Sequence, residues 1–286
     1  MDVSIIIVSW NTRDILRDCL RSVYEQTKAI TFEVIIVDNS SRDGSAEMVR
    51  EEFPQIILIE NSGNRGFAAA NNQGMAIAKG WYVLLLNPDT IVLDGAIQKS
   101  VLFADQNPSA AVVGVRIERP DGTLCRDCFR YASLLNLIIS TFGMHRLFPR
   151  SRFWGREGYS RWDYRSVLVV EVVAGCYMLT RRQAIDIVGN MDESYFMYGE
   201  EMDWCWRFQR AGWKVLYYPD ARIIHCGGMS AAQNPVGMSI ELQKSFLRFI
   251  EKRQGRAGRL AARGLLFLAR LIRLLYWSIR WTIGPK

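Results

Sequence analysis

Five carboxylates stand where side chains could do chemistry. Asp38 closes the apolar run "FEVIIVD" (32–38), and Asp89 follows "LLLNP" (84–88). Glu200, Glu201 and Asp203 crowd the front of "YGEEMDWCWRFQRAG" (198–212). A carboxylate in the place of Asp38 could accept a hydrogen bond from the N3–H of a pyrimidine. One in the place of Asp89 could hold a hard divalent cation that bridges a diphosphate, since Mg²⁺ binds through one or two carboxylates plus phosphate oxygens. Like charges as close as the acidic triple raise one another's pKa, which suits a general base. The same triple would also be favoured by a helix dipole, and that plainer reading stands beside the first.

Other chemistries lack their residues. No Gly-x-Gly-x-x-Gly follows the first apolar run, which leads into Ser9-Trp10-Asn11-Thr12 instead. Neither a Walker phosphate loop nor a Gly-x-Ser-x-Gly elbow is present. His145 and His225 are the two histidines, which limits schemes built on imidazole. Cys125-x-x-Cys128 has no second pair at zinc-site spacing, and the six cysteines are scattered as in a reducing compartment.

The elements that must position these residues alternate. Apolar β-branched runs at 3–10, 32–41, 55–60, 81–90 and 110–117 read as strands; between them, helical patterns follow Asn11 and span 43–53, 64–80 and 94–107. Such alternation predicts an α/β fold with a mostly parallel central sheet and helices on both faces. Ligands of such sheets bind beyond the carboxyl ends of the strands. There the sequence collects Ser9-Trp10-Asn11, Asp38-Asn39-Ser40, Asn61-Ser62-Gly63 and Asn87-Pro88-Asp89. Further strands are expected over 166–182, 213–219 and 221–228, with a helix over 198–212. The apolar stretch 131–148 is too short and interrupted to span a bilayer; a lid, an interfacial segment and an ordinary packed helix all remain open.

Composition is that of a globular protein: 286 residues, 49% hydrophobic and 23% charged. No basic n-region precedes an apolar stretch at the N-terminus, so a cytoplasmic protein is expected. Lys252 to Lys286 holds nine Lys/Arg and no acid; taking these from the net +7 leaves −2 for residues 1–251. The main domain is therefore not a basic nucleic-acid binder. Arg256, Arg259, Arg263, Arg270, Arg273 and Arg280 fall within about a third of a helical circle. Leu265, Leu268, Ile272, Leu275 and Ile279 lie opposite. That pattern predicts an amphipathic helix in the plane of a membrane surface, with Trp277 and Trp281 near the interface. A helix packed on its own domain or on a partner is the alternative. The division expected is a main domain over 1–250 and a membrane-associating helical tail over 251–286.

Seven stretches in order resemble the family-2 inverting glycosyltransferases, whose fold is called GT-A, and bacterial rhamnosyltransferases among them. They are "VSWN" (8–11), "VDNSSRDGS" (37–45), "NRGFAAANNQG" (64–74), "LLLNPDT" (84–90), "AGCYMLTRR" (174–182), "FMYGEEMDWCWR" (196–207) and "IIHCGGMS" (223–230). The resemblance spans residues 2–250. It implies a nucleotide-diphospho-sugar donor such as dTDP-rhamnose, a divalent metal (Mg²⁺ or Mn²⁺) and direct displacement at the anomeric carbon. Ser9, Asn11, Asp38 and Asn64, with Arg65, Gly66 and Asn87, would hold the donor. Asp89 matches the last acid of the family's Asp-x-Asp motif and would ligate the metal; Asn87 replaces the first acid. His225 matches a further metal ligand of some members, and imidazole suits Mn²⁺ better than Mg²⁺. Glu201 takes the base position of a Glu-Asp pair, with Asp203 as the second candidate. Tyr198, Trp204 and Trp206 could stack on a sugar or pack the core. With the tail, the family implies a lipid-linked saccharide acceptor at the cytoplasmic face of the membrane, in cell-surface polysaccharide synthesis. A nucleotide-sugar-binding protein without turnover, a membrane scaffold and a homo-oligomer are open alternatives.

Overall fold

The computed structural model describes residues 1–148, 151, 153–155, 157–159, 161–227 and 234–283. The side chains of 145, 146 and 279–283 lie outside the described residues, and with them His145, Ile279, Arg280 and Trp281. So do residues 228–230 of the last motif.

The strands β1 (Val3–Ser9) and β2 (Phe32–Asp38) pair in parallel, Ser9 opposite Asp38. Successive side chains point to opposite faces of a strand. Val3, Ile5 and Ile7 accordingly join one core with helices α1 (Arg13–Gln26), α2 (Ser45–Glu52) and α4 (Ala96–Gln106). Ile6 joins a second core with α3 (Phe67–Ile77), α7 (Arg182–Val188) and α8 (Glu200–Arg210). Burial on both faces explains why these strands read as unbroken apolar runs.

Among the described residues the sheet has the order β3-β2-β1-β4-β9-β6-β10-β5. Strands β3 (Ile57–Glu60), β2, β1 and β4 (Tyr82–Leu86) run parallel. β9 (Tyr177–Arg181) lies antiparallel between β4 and β6 (Ala110–Glu118). β10 (Lys214–His225) is parallel to β6 and antiparallel to the edge strand β5 (Thr90–Leu93). Two short strands, β7 (Leu124–Cys125) and β8 (Leu168–Val169), pair with β6 and β10. The fold is thus α/β with a mostly parallel central sheet, as expected.

Several elements differ from the sequence reading. The run 81–90 is two strands joined by a turn at Asn87-Pro88-Asp89, and residues 90–93 form a strand of their own. The runs 213–219 and 221–228 are one strand, β10, whose register shifts between Tyr218 and Arg222. Pro219 falls within that shift; lacking an N–H, proline is accommodated at such irregularities. The stretch 166–182 is strand only at its ends, and its middle residues Val170, Val172 and Val173 pack into the core as loop.

Within 131–148 lie α5 (Leu134–Thr141) and α6 (Met144–Leu147). α5 starts on a Ser133 cap that accepts from the Asn136 N–H, buries Asn136 and Ile139, and leaves Leu135, Ile138 and Phe142 exposed. The C-terminal element α9 (Pro235–Ile283) is helical throughout except at Gly255, where φ 70° and ψ −171° break it. Its first arm belongs to the core: Phe249 and Ile250 are buried, and Arg253 Nη1 donates to the Ala132 carbonyl (3.3 Å). The composition shift near residue 250 therefore falls inside a packed arm, and the break comes at Gly255.

Candidate active site

The carboxyl ends of β1–β4 open onto one cleft. Its inner part, about 210 Å³, is walled by Val8, Asn39, Gly66, Phe67, Asn87, Asp89, Phe196, Tyr198, His225 and Met238 among others. Its outer part, about 320 Å³, is walled by Asn11, Ser40, Arg42, Ser62 and Gly63. Trp10, Asn39 and Asn64 line both, so the two parts are continuous.

The turn after β4 fixes Asp89 by its backbone. Asn87 N–H donates to the Cys176 carbonyl (3.0 Å), Thr90 Oγ1 to the Asn87 carbonyl (2.7 Å) and Cys226 N–H to the Asp89 carbonyl (3.0 Å). The antiparallel register sets His225 opposite Thr90. His225 Nε2 consequently lies 3.1 Å from Asp89 Oδ1 and 3.5 Å from Asn87 Nδ2. Residues 136–138 positions apart in the chain meet on one wall by strand pairing.

This pair presents a carboxylate and an imidazole on one side. Among the described residues no third His, Cys, Asp or Glu completes a cluster. That donor set fits a divalent ion whose other ligands are phosphate oxygens and water, the usual manner of Mg²⁺ at diphosphate sites. The imidazole makes Mn²⁺ the better match.

In the outer part, Asn11 adopts φ 52° and Ser40 φ 66°, both in the left-handed region. Such conformations cost of order 1 kcal/mol or more and persist where surroundings hold them. Here the holding bonds are Asn11 N–H to Ser41 Oγ (2.9 Å) and Arg42 N–H to Asn11 Oδ1 (2.7 Å). Asp38 sits beneath this loop, buried. Its Oδ2 accepts from the Ser41 N–H (2.8 Å), while its Oδ1 is buried with no protein partner. An unsatisfied buried acceptor is costly, and a ligand N–H would relieve it.

The loop 61–66 is folded by its own amides. Asn64 Oδ1 accepts from the Gly66 N–H (2.9 Å), and Asn39 Oδ1 accepts from Asn61 Nδ2 (2.9 Å). Gly66 has φ 82°, and a Cβ there would lie 2.4 Å from the Phe196 carbonyl oxygen. Only glycine allows the two cleft loops to approach this closely. Arg65 is exposed, its backbone N–H reaches Asn39 Oδ1 (3.4 Å), and it is not among the residues that wall either part of the cleft.

The loop 196–199 carries the opposite wall into α8. Tyr198, at φ 67°, lines the cleft, and Gly199, at φ 86°, caps the helix. The Gly199 N–H donates to Glu201 Oε2 (2.9 Å). Glu200 is buried and its Oε2 has no partner. Burial, and then the neighbouring Glu201, hold the Glu200 carboxyl well above the usual carboxylate range; burial raises Glu201 as well. The Tyr198 hydroxyl is raised by burial, then by Glu200 and Glu201. Glu201 and the cleft residue Phe67 both face the open side of Gly175.

Some expected site residues lie elsewhere. Ser9 is fully buried and bonds Thr12 Oγ1 (3.0 Å); its carbonyl accepts from the Asn39 N–H (2.8 Å), so it shapes the loop without reaching the cleft. Asp203 is fully buried and pinned at both oxygens, by Arg207 Nε (2.9 Å) and Lys252 Nζ (2.7 Å). Arg207 lies on α8 itself and Lys252 ties that helix to the first arm of α9, so Asp203 is a structural carboxylate. Trp204 is buried and donates to the Gly189 carbonyl (2.9 Å), and Trp206 packs edge-on against Phe249 (6.1 Å), so both are core residues. Asn39, Phe67, Phe196 and Met238 line the cleft although the sequence did not single them out. Asn39 was signalled by its place after Asp38; Met238 comes from a distant helix and carried no local signal. Asp127, also unforeseen, is buried with Oδ1 unpartnered, and burial pushes its carboxyl up to about 8.

The sequence model of glycosyl transferase family 2 matches residues 4–186. The chain is 29% identical over 237 residues to the N-acetylglucosaminyl-diphospho-decaprenol L-rhamnosyltransferase of Mycobacterium tuberculosis, covering 77% of this chain and 75% of that protein. The fold is similar to that of a mannosyltransferase from Pyrobaculum calidifontis solved with GDP-Man and Mn²⁺ (TM-score 0.59, 15% identity, 99% of this chain and 80% of that one). It is also similar to residues 1–349 of S. aureus TarS (TM-score 0.55, 14% identity, 88% of this chain and 66% of that one). With the polar cleft at the strand ends and the family match over most of the chain, the protein belongs to glycosyltransferase family 2 and has the GT-A fold.

Proposed function

We propose that this glycosyltransferase is a metal-dependent, inverting rhamnosyltransferase. It would move L-rhamnose from dTDP-rhamnose to a hydroxyl of a lipid-linked saccharide, at the cytoplasmic face of the membrane, in cell-surface polysaccharide synthesis. The observation that carries the reading is the cleft itself. Asp89 and His225 meet on one wall, and the opposite wall leads directly into Glu200-Glu201. The sugar assignment is supported by the mycobacterial relative's name and by the apolar inner walls, Phe67, Phe196 and Met238, which suit the methyl group of a deoxy sugar.

In this mechanism the outer part of the cleft holds the nucleotide. Asp38 Oδ1 accepts the N3–H of thymine, and Asn11 and Asn64 bound the deoxyribose side. Asp89 and His225 would hold Mg²⁺ or Mn²⁺, which supplies charge neutralisation to the diphosphate leaving group. Glu201 takes the proton from the acceptor hydroxyl. The oxygen attacks the anomeric carbon from the face opposite the diphosphate, the old carbon–oxygen bond breaks, and dTDP leaves with the bonding pair. Desolvation raises Glu201 toward the working pH, where a general base is most effective.

Calorimetric titration with dTDP-, UDP- and GDP-sugars tests the donor assignment. dTDP-rhamnose is expected to bind with Mn²⁺ or Mg²⁺ present and far more weakly in chelator. If no donor binds, the roles given to Asp38 and Asp89 are wrong.

A further inference from the structure

The two arms of α9 fold back on each other at Gly255. Arg259 Nη1 donates to Glu251 Oε2 (2.5 Å), and farther along Arg270 donates to Gln243. In the second arm Gly258 and Ala262 are buried, and Leu265, Ala269 and Ile272 are half-buried. These five recur at helical spacing and form the face turned to the protein. Of the residues expected to meet a membrane, Leu265 and Ile272 thus lie on the inner face, while Leu268 (41%) and Leu275 (63%) remain exposed.

Beside Leu268 and Leu275 the outward face carries a further row. Leu260 is 67% exposed, Phe267 62%, Leu271 39% and Leu274 64%. At 100° per residue these four lie within about 60° of one another, opposite the packed face, and the row is about 21 Å long. Arg256, Arg259, Arg263, Arg270 and Arg273 fall along one edge of it. Residues 256–283 contain no acid. Among the described residues no helix is long and apolar enough to cross a membrane.

An exposed apolar stripe of this size marks an interaction surface. Its charge decides the occupant. A second copy meeting it face to face would oppose two arginine rows with no counter-charge. An anionic bilayer supplies both the apolar phase and the negative surface. We propose that the stripe Leu260–Phe267–Leu271–Leu274, with its arginine edge, is the face by which the protein docks in the plane of an anionic bilayer. This rests on the membrane-surface reading above and narrows it to one face of one arm.

The test is co-sedimentation of the full chain with vesicles. Binding is expected to vesicles of phosphatidylglycerol with phosphatidylcholine, to weaken with salt, and to be slight with phosphatidylcholine alone. Phe267→Ser with Leu274→Ser is expected to weaken binding roughly a hundredfold. Arg263→Gln with Arg273→Gln is expected to weaken binding to the anionic vesicles about thirtyfold. Trp81→Ser with Leu102→Ser, exposed on the main domain, should change nothing. All these positions are solvent-facing, and unchanged thermal melts verify that the variants fold. Absence of wild-type binding, or stripe variants that bind as wild type, overturns the proposal. So does a wild-type dimer that the Phe267/Leu274 variant dissociates without vesicles, which would assign the stripe to a second copy. The donor reading fails separately, in the calorimetric titration.

Discussion

Glu201→Gln is expected to lower sugar transfer by about 10²–10⁴-fold, the usual contribution of a general base. Donor affinity should stay near that of the wild type, because Glu201 is assigned to the acceptor hydroxyl and not to the diphosphate. The amide can still accept the Gly199 N–H at the place of Oε2, so the start of α8 should survive the change. The pH profile sharpens the test. Burial raises the Glu201 carboxyl, and a base must be deprotonated, so the wild-type rate should rise with pH through a limb above the ordinary glutamate range. Glu200 and Glu201 are close enough that the limb belongs to the pair. In Glu201→Gln the limb should vanish from the residual rate. Steady-state kinetics across pH check both points; a variant with wild-type kcat and an intact limb places the base elsewhere. The same result bears on a donor-binding protein without turnover, which would show no transfer in either form.

Asp89→Ala is expected to abolish metal-dependent donor binding and to lower kcat/KM by about 10²–10⁴-fold. That range corresponds to the several kcal/mol a bound cation supplies to a phosphate leaving group. The turn should persist, since its backbone bonds involve Asn87, Thr90, Cys176 and Cys226 rather than the Asp89 side chain. His225→Ala should cost less, as the loss of the second donor on the same wall. Calorimetry with and without Mn²⁺, followed by kinetics, separates the two. Undiminished Mn²⁺-dependent donor binding in Asp89→Ala would remove Asp89 from the metal site.

Much of this was legible in the sequence because the relevant physics is local. Strands buried on both faces must be continuous apolar runs, and 3–9, 32–38 and 82–86 are such runs. Their polar ends therefore mark the rim of the sheet, and Asn11, Asp38, Asn64, Asn87 and Asp89 all gather there. The acidic start of α8 was equally plain. What escaped depends on contacts made far along the chain. Ser9 and Asp203 have the residue types of ligands, but one is buried against Thr12 and the other is claimed by Arg207 and Lys252. Polarity alone does not reveal such partners. The fold-back at Gly255 escaped for a similar reason. A glycine amid good helix formers can continue a helix, and pairing of the arms through Glu251 and Arg259 turns it into a bend. That bend turned Leu265 and Ile272 inward, left Leu268 and Leu275 exposed, and brought Leu260, Phe267, Leu271 and Leu274 to the outward face.

The central claim is displacement at the anomeric carbon by an acceptor oxygen that Glu201 deprotonates. The most direct measurement is the anomeric configuration of the product, read by NMR after wild-type transfer from dTDP-rhamnose to a lipid-linked saccharide acceptor. The account predicts a single product whose anomeric configuration is opposite to that of the donor. A product that keeps the donor's configuration would contradict it.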